Sequence, residues 1–336
     1  MSNLVIAMEN QLLIVKDVDG TPKLDSRLQD TRPQGLAMDP FKPGRVYAAT
    51  FGNGLWVSDN SGRDWKRIGG GTLLDEVTSV AVCPNEQNGG CGVAYAGTEP
   101  SNIYRTNNGG ETWTRTGDLT KLPSSDSWSF PPKPETHHVR FIAADPVRPE
   151  LVYAAIEAGA LIRTWDGGEM WKDRVKTGPY DTHTLATNRK APGRVYSAAG
   201  DGYFESLDYG ETWQRQNTGL RQHYMYCVGV HPSDPNVVLV SASPGPWLAY
   251  HPEHAESYVY RKTGEGVWKQ VRLDPKSDGS TVAVFVPNPD VNGHFYAVNS
   301  LGIYQSIDAG ATWEKLPIPW PDALKQNVWS AVVLPK

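Results

Sequence analysis

The chain holds eight histidines, and most of them fall where side chains able to move protons would be wanted. His137, His138, His183 and His223 stand just ahead of apolar, strand-like runs, and His251 and His254 share one long insertion. Glu99, Glu157 and Asp201 sit at the ends of other short apolar runs, while Arg140, Tyr224 and Tyr226 lie at the start of such runs. Imidazoles beside carboxylates can exchange protons near neutral pH, and imidazoles from separate segments can also hold a divalent metal. An arginine can anchor a substrate anion. No His-x-x-x-His or similar spacing is present, so a metal site would need ligands from different elements, with His138, His183, His223, His251 and His254 as the candidates. What gathers these residues must therefore be the fold.

The fold announces itself as a repeat. Ser/Thr-x-Asp/Asn-x-Gly-x-x-Trp occurs from Ser58 to Trp65, Thr106 to Trp113, Thr164 to Trp171, Ser206 to Trp213 and Ser306 to Trp313, and a worn copy ends at Trp268. The chemistry of the motif is that of a turn. Its Asp or Asn accepts backbone N–H bonds, its Gly permits positive φ, and its Trp covers apolar surface, so the motif carboxylates are assigned structure and not catalysis. Two strand-like runs and a shorter third precede each copy, and a fourth follows each Trp. That is a four-stranded blade with the motif between its last two strands, the unit of a β-propeller.

Six blades read as 32–72, 73–120, 136–178, 181–217, 222–273 and 279–317. The seventh is composite, from 1–31 and 327–336: three N-terminal runs lack an inner partner, and the C-terminal Trp329 to Leu334 lacks followers. Pairing them closes the ring and removes two open edges. The expectation is an all-β, seven-bladed propeller in one domain.

The repeated motif resembles the Asp-box, or BNR, repeats of sialidases, xyloglucanases, the sortilin luminal domain and the photosystem II assembly factor, and it covers nearly the whole chain. The resemblance implies the propeller fold and opens two kinds of function, glycoside hydrolysis or non-catalytic binding and assembly. For a sialidase-like activity it implies an arginine triad and a tyrosine nucleophile. Here Arg32, Arg140 and Arg221, with Tyr224 or Tyr226, are the available counterparts, although Thr31-Arg32-Pro33-Gln34 departs from the entry motif of that family and seven blades replace six. Xyloglucanases set two such propellers face to face, and this chain provides one.

Alternating strands put all the motif turns on one face, the bottom. The top face is then built from the approaches to each inner strand and from the second-to-third turns. With the inner strands aligned on Asp39, Cys83, Asp145, Asn188, His231, Pro287 and Leu334, the residues seven positions upstream are Arg32, Glu76, His138, Asp181, Tyr224, Ser280 and Asn327, all polar. Those three positions upstream are Leu36, Val80, Ile142, Leu185, Val228, Val284 and Ala331, all apolar. A polar funnel mouth over a packed plug is the expectation. An extended backbone turns His137 and His138 opposite ways, so at most one faces the funnel. Three long loops roof it: Gly117 to Thr136 with Trp128 and Phe130, Ser243 to Ser257 with Trp247 and Tyr250, and Pro317 to Asn327 with Trp320.

Composition narrows the partners. A net charge of −5 without a basic tract argues against nucleic acid, no apolar run is long enough to span a bilayer, and the first residues lack a secretory pattern, which makes the cytoplasm the expected compartment. Cys83 and Cys91 flank a hairpin turn and are left open between a disulfide and two thiols, and Cys227 reads as core. The sequence therefore points to an enzyme acting on a small-molecule or saccharide substrate, polar or anionic, by hydrolysis or elimination. His138, His183 and His223 would serve as bases or metal ligands, Glu157 and Asp201 as acid, base or supporting groups, and Tyr224 and Tyr226 as phenols in reach. Arg32, Arg140, Glu76, Glu99, Asp181, Trp128, Trp247 and Tyr250 would bind substrate. One divalent metal is admitted as cofactor and no organic cofactor is expected. The alternatives are a binding or assembly module and a sialidase-like glycosidase.

Overall fold

The second run of each repeat is mostly apolar, and the strands Val46–Thr50, Val152–Ile156, Val195–Ala199 and Phe295–Asn299 are buried along their whole length. A strand buried on both faces needs a sheet packed against each side, which is what radial stacking of blades supplies. In the computed structural model, which describes residues 2–273 and 279–334, seven antiparallel sheets are arranged around one axis. Blades 2 to 7 have inner strands Pro33–Met38, Val77–Asn88, Val139–Ala144, Thr182–Thr187, Tyr224–Val230 and Val284–Pro287. In blade 1 the inner strand is the C-terminal Val328–Leu334, paired antiparallel with Asn3–Met8 so that Leu4 faces Val333 and Ile6 faces Ala331. The ring is closed by this pairing. The first residue and the last two of the composite blade read from the sequence lie outside the described residues.

The repeated turns behave as their residues require. In the turn opened by Ser206, Gly210 N–H donates to Ser206 Oγ (2.8 Å) and Thr212 N–H to Asp208 Oδ1 (2.8 Å). Corresponding bonds recur in the turns opened by Ser58, Thr106, Thr164 and Ser306. Two left-handed residues in a row make the bend, and at the second of them Gly310 (φ +81°) has no Cβ to collide with Leu239. Tyr209 N–H donates to Gly193 O and Ala309 N–H to Gly293 O, each 2.8 Å, which ties these two turns to the first-to-second turns of their own blades and so to one face.

Blade 4 departs from the expected four strands. After Trp171 only an Arg163–Lys172 bridge remains, because Asp173 turns away to accept the Ser124 N–H (2.7 Å) and fasten the long 117–136 loop. Cys83, Cys91 and Cys227 are free thiols, and Cys91 Sγ accepts a hydrogen bond from Arg45. No helix among the described residues is long and apolar enough to cross a membrane.

Near the axis, Leu36, Val80, Ile142, Leu185, Val228 and Val284 are all buried and form the plug. Just above it, six inner strands carry a one-residue bulge at the same place, five positions upstream of the alignment residues: Gln34, Thr78, Arg140, His183, Tyr226 and Trp329. A bulge leaves one residue unpaired and re-aims it, and at this level it turns polar and aromatic side chains toward the axis.

Ring closure should be sensitive to a charge on the C-terminal strand. Val333→Asp places a carboxylate at a position 1% exposed and should cost at least about 3 kcal/mol or abolish soluble expression. Ile307→Asp, at a site 78% exposed on a bottom turn, should leave the urea midpoint unchanged. Equal midpoints for the two variants would contradict the closure.

Candidate functional site

The bulged and preceding positions open into a cup of about 610 Å³ on the face away from the repeated turns. Its wall is apolar, made by Phe51, Phe130, Pro131, Tyr250 and Trp329, and its floor is charged, made by Glu99, His138, Arg140, Glu157 and Asp181. A concavity with apolar sides and a few convergent polar groups is the usual form of a small-molecule site.

Glu157 is the hub of the floor. It leaves blade 4 at the second-to-third turn, and its Oε2 accepts the His138 Nε2–H at 2.8 Å and lies 3.4 Å from Arg140 Nε. Burial alone would push this carboxyl up. The hydrogen bond from His138 and the charges of His138, Arg140 and His183 outweigh burial and hold it at about 2. The other ring nitrogen of His138, Nδ1, is 3.6 Å from Glu99 Oε2, so the imidazole stands between two carboxylates. Phe130 packs edge-on against that imidazole, with ring centroids 4.7 Å apart. Arg140, the bulged residue of blade 4, also donates to Tyr226 Oη (3.2 Å), and Tyr226 donates onward to Val328 O.

A second cluster adjoins the first. His183 is fully buried, with Nδ1–H donated to Met225 O (2.6 Å) and Nε2 at 3.6 Å from Asp181 Oδ2. Burial pushes this imidazole down, but Asp181 and then Glu157 outweigh it and raise its pKa. Asp181 Oδ1 accepts the Ala158 N–H (2.8 Å), and a Cβ at Gly200 would sit 2.1 Å from Oδ2, so only glycine fits there. Ligand atoms of Glu157, Asp181 and His183 all lie within 4.8 Å of one another. Over them Tyr224 and Tyr250 join their hydroxyls at 2.8 Å, both phenols pushed up by burial.

The rim carries cations and an open aromatic. Arg32 and Lys133 each lie 4.7 Å from the Phe51 ring centroid, and Lys133 Nζ is also 3.5 Å from Glu99. Arg32 is exposed and forms no ion pair among the described residues. Trp247, 60% exposed, stacks on His251 at 3.6 Å.

Several residues singled out in the sequence are placed elsewhere. His223 and His254 are exposed and line no part of the cup, and His251 is committed to Trp247, so the five-histidine metal set is not assembled. The reason is local: His223 precedes its strand by one residue and His254 lies in the turn beyond the Pro246–Tyr250 helix. Trp128 is buried, its Nε1 donating to Ser124 Oγ and its ring against His137, so it is core and not a sugar platform. Glu76 faces away, with its carbonyl accepting the Glu99 N–H, and Asp201 acts indirectly, accepting the backbone N–H groups of Tyr180 and Asp181. Tyr226 supports Arg140 from beneath. Asn327 donates to Tyr250 O and Trp320 to Ser300 O. Arg221 is exposed and outside the cup, so Arg32, Arg140 and Arg221 do not make a triad. Gln34, Thr78 and Trp329 line the cup without having been singled out, and the signal that would have found them is the offset of five positions where the bulges fall.

Fold and cup together define a seven-bladed β-propeller with a charged-floor pocket at the axis. No family model and no curated protein matches the sequence. Among solved structures it is similar to an ancestral GH74 enzyme, with 18% identity and a TM-score of 0.65 over 88% of this chain and 41% of that one. It is similar also to the GH74 xyloglucanase from Xanthomonas campestris, at 18% identity and TM-score 0.63 over 85% of this chain and 45% of that one. The third is YCF48 bound to D1 peptide, at 17% identity and TM-score 0.57 over 85% of this chain and 82% of that one. The chain thus spans less than half of these two GH74 enzymes, and at these identities the likeness is one of fold.

The Glu157 carboxyl predicts an acid-side stability effect. In the unfolded chain it protonates near 4.5, in the fold only near 2, so its stabilisation is complete above pH 4.5 and lost as pH falls through 2. The urea midpoint of wild type should exceed that of Glu157→Gln above pH 4.5, and the two should converge toward pH 2. A gap that is constant across this window would show that Glu157 is not held down in the fold.

Proposed function

We propose that the protein is an enzyme that acts on a small or oligomeric polar substrate in the axial cup, by hydrolysis or elimination. The observation that carries this reading is the His138 imidazole set between Glu157 and Glu99 at the cup floor, 2.8 and 3.6 Å from them. Glu157, ionised down to about pH 2, is a poor proton donor and a good partner for orienting the imidazole. His138 and Glu99 are then the groups that give and take protons. Arg32 and Lys133 at the rim favour a substrate that carries an anionic group, and Trp247 offers an exposed ring face to a sugar or another flat apolar surface.

A glycoside is the substrate class best supported, since GH74 enzymes share the fold. A second reading, a binding or assembly module, is favoured by one fact: YCF48 is a chain that this one covers over 82% of its length, a share the GH74 enzymes do not approach.

The test is turnover of a panel of aryl glycosides, uronides and oligosaccharides, followed by NMR of the anomeric protons. Conversion of at least one member, reduced on the order of 100-fold or more in Glu99→Gln and His138→Gln with unchanged melting, supports the enzyme. Panel members that bind by calorimetry and return chemically unchanged after prolonged incubation would leave a binding module instead.

A further inference from the structure

We propose that Glu157, Asp181 and His183 form a binding site for one divalent transition-metal ion in the cup floor, a set unlike the histidine group suggested by the sequence and independent of the reaction proposed above. The argument begins with the tautomer of His183. Its Nδ1 is 2.6 Å from Met225 O, and a carbonyl can only accept, so the proton is on Nδ1. The fully buried Nε2 has no hydrogen-bond partner, and it points at Asp181 Oδ2 across 3.6 Å. In the neutral ring that is one lone pair facing another. In the charged ring it is an N–H too far from its acceptor for a good bond. Buried polar atoms are seldom left this way, and a cation between nitrogen and oxygen satisfies both.

The neighbouring oxygens are free for the same task. Asp181 spends Oδ1 on the Ala158 N–H and keeps Oδ2, while Glu157 spends Oε2 on His138 and Arg140 and keeps Oε1. The bare Cα of Gly200 makes the room in which Asp181 Oδ2 sits. An ion bonded at ~2.0–2.2 Å holds its ligand atoms up to ~4.4 Å apart, and one ligand atom from each of the three residues already lies within 4.8 Å of the others. One imidazole and two carboxylates suit zinc, manganese or ferrous iron better than calcium or magnesium, which take oxygen ligands. His183 lies beneath the lining while Glu157 and Asp181 line the cup, so the remaining coordination positions face the cavity and are open to water or substrate. His138 and Met225 supply the outer hydrogen bonds that orient Glu157 and His183.

The test reads binding and not turnover. Chelator-treated protein is titrated with Mn²⁺ and followed by electron paramagnetic resonance, and with Zn²⁺ and Mg²⁺ followed by melting temperature. The variants are Asp181→Asn, which retains the oxygen that accepts Ala158 N–H, Glu157→Gln, and His254→Ala as an exposed-histidine control. One Mn²⁺ per chain, a melting rise with Zn²⁺ but not with Mg²⁺, and affinity at least about tenfold weaker in Asp181→Asn and Glu157→Gln but unchanged in His254→Ala are expected. Absence of stoichiometric binding by wild type at millimolar metal, or binding equal in wild type and both carboxamide variants, would overturn the site. Turnover that proceeds in the chelated protein would leave this site standing, and metal binding without turnover would leave only the catalytic reading unsupported.

Discussion

Seven inner strands share one axis, and the narrow space they enclose can be filled by side chains at only one level. Leu36, Val80, Ile142, Leu185, Val228 and Val284 fill it, and they meet only because Val328–Leu334 returns to pair with Asn3–Met8 and completes the circle. Above that plug the strands diverge. Regular pairing would continue the alternation of side chains past it, but a bulge in six inner strands breaks the alternation at a common height. The same height holds Arg140 and His183, around which the carboxylates of the floor are arranged. The plug excludes water from below, the bulges deliver polar groups above it, and the cup is the result.

The electrostatics of the floor follow from that delivery. Glu157 stays ionised because His138, Arg140 and His183 converge on it, and His183 is raised because Asp181 and Glu157 converge on it. The charges of the floor come from three adjacent blades. Blade 3 provides Glu99, blade 4 provides His138, Arg140 and Glu157, blade 5 provides Asp181 and His183, and the phenols come from blade 6. An arrangement of this kind is costly to assemble unless the scaffold is rigid, and the clasping of neighbouring blades supplies rigidity on the far face. Tyr95 reaches Gly167 O and Tyr196 reaches Pro235 O, each from a fully buried ring in one blade to a turn of the next.

The fold is shared by a GH74 xyloglucanase and by YCF48 bound to D1 peptide, so the propeller itself does not decide between catalysis and binding. On this scaffold the chain combines a charged floor, an apolar wall to which the 117–136 and 243–257 loops contribute, and at the rim an arginine with no ion-pair partner among the described residues.

From the amino-acid order alone came the strands, the turns, the number of blades, the composite first blade and the face on which the polar residues gather. These are local or periodic properties: turn chemistry is written in five copies of one motif, and the apolar plug recurs at a constant offset. The sequence also placed His138, Arg140, Glu157, Glu99 and Asp181 on the correct face. It did not decide which imidazoles reach the axis. His223 and His183 both stand near the entries to neighbouring strands, yet one is exposed and the other fully buried: His183 falls on a bulge, which leaves no mark in hydrophobic alternation, and His223 precedes its strand. Nor did it decide that Trp128 would turn inward while Phe130, two residues on, would wall the cup; the Ser124–Asp173 bonds that fold that loop join residues nearly fifty apart. Periodicity reports what each strand repeats. Only the closed ring, in which side chains from separate blades compete for one axial space, determines which of them meet.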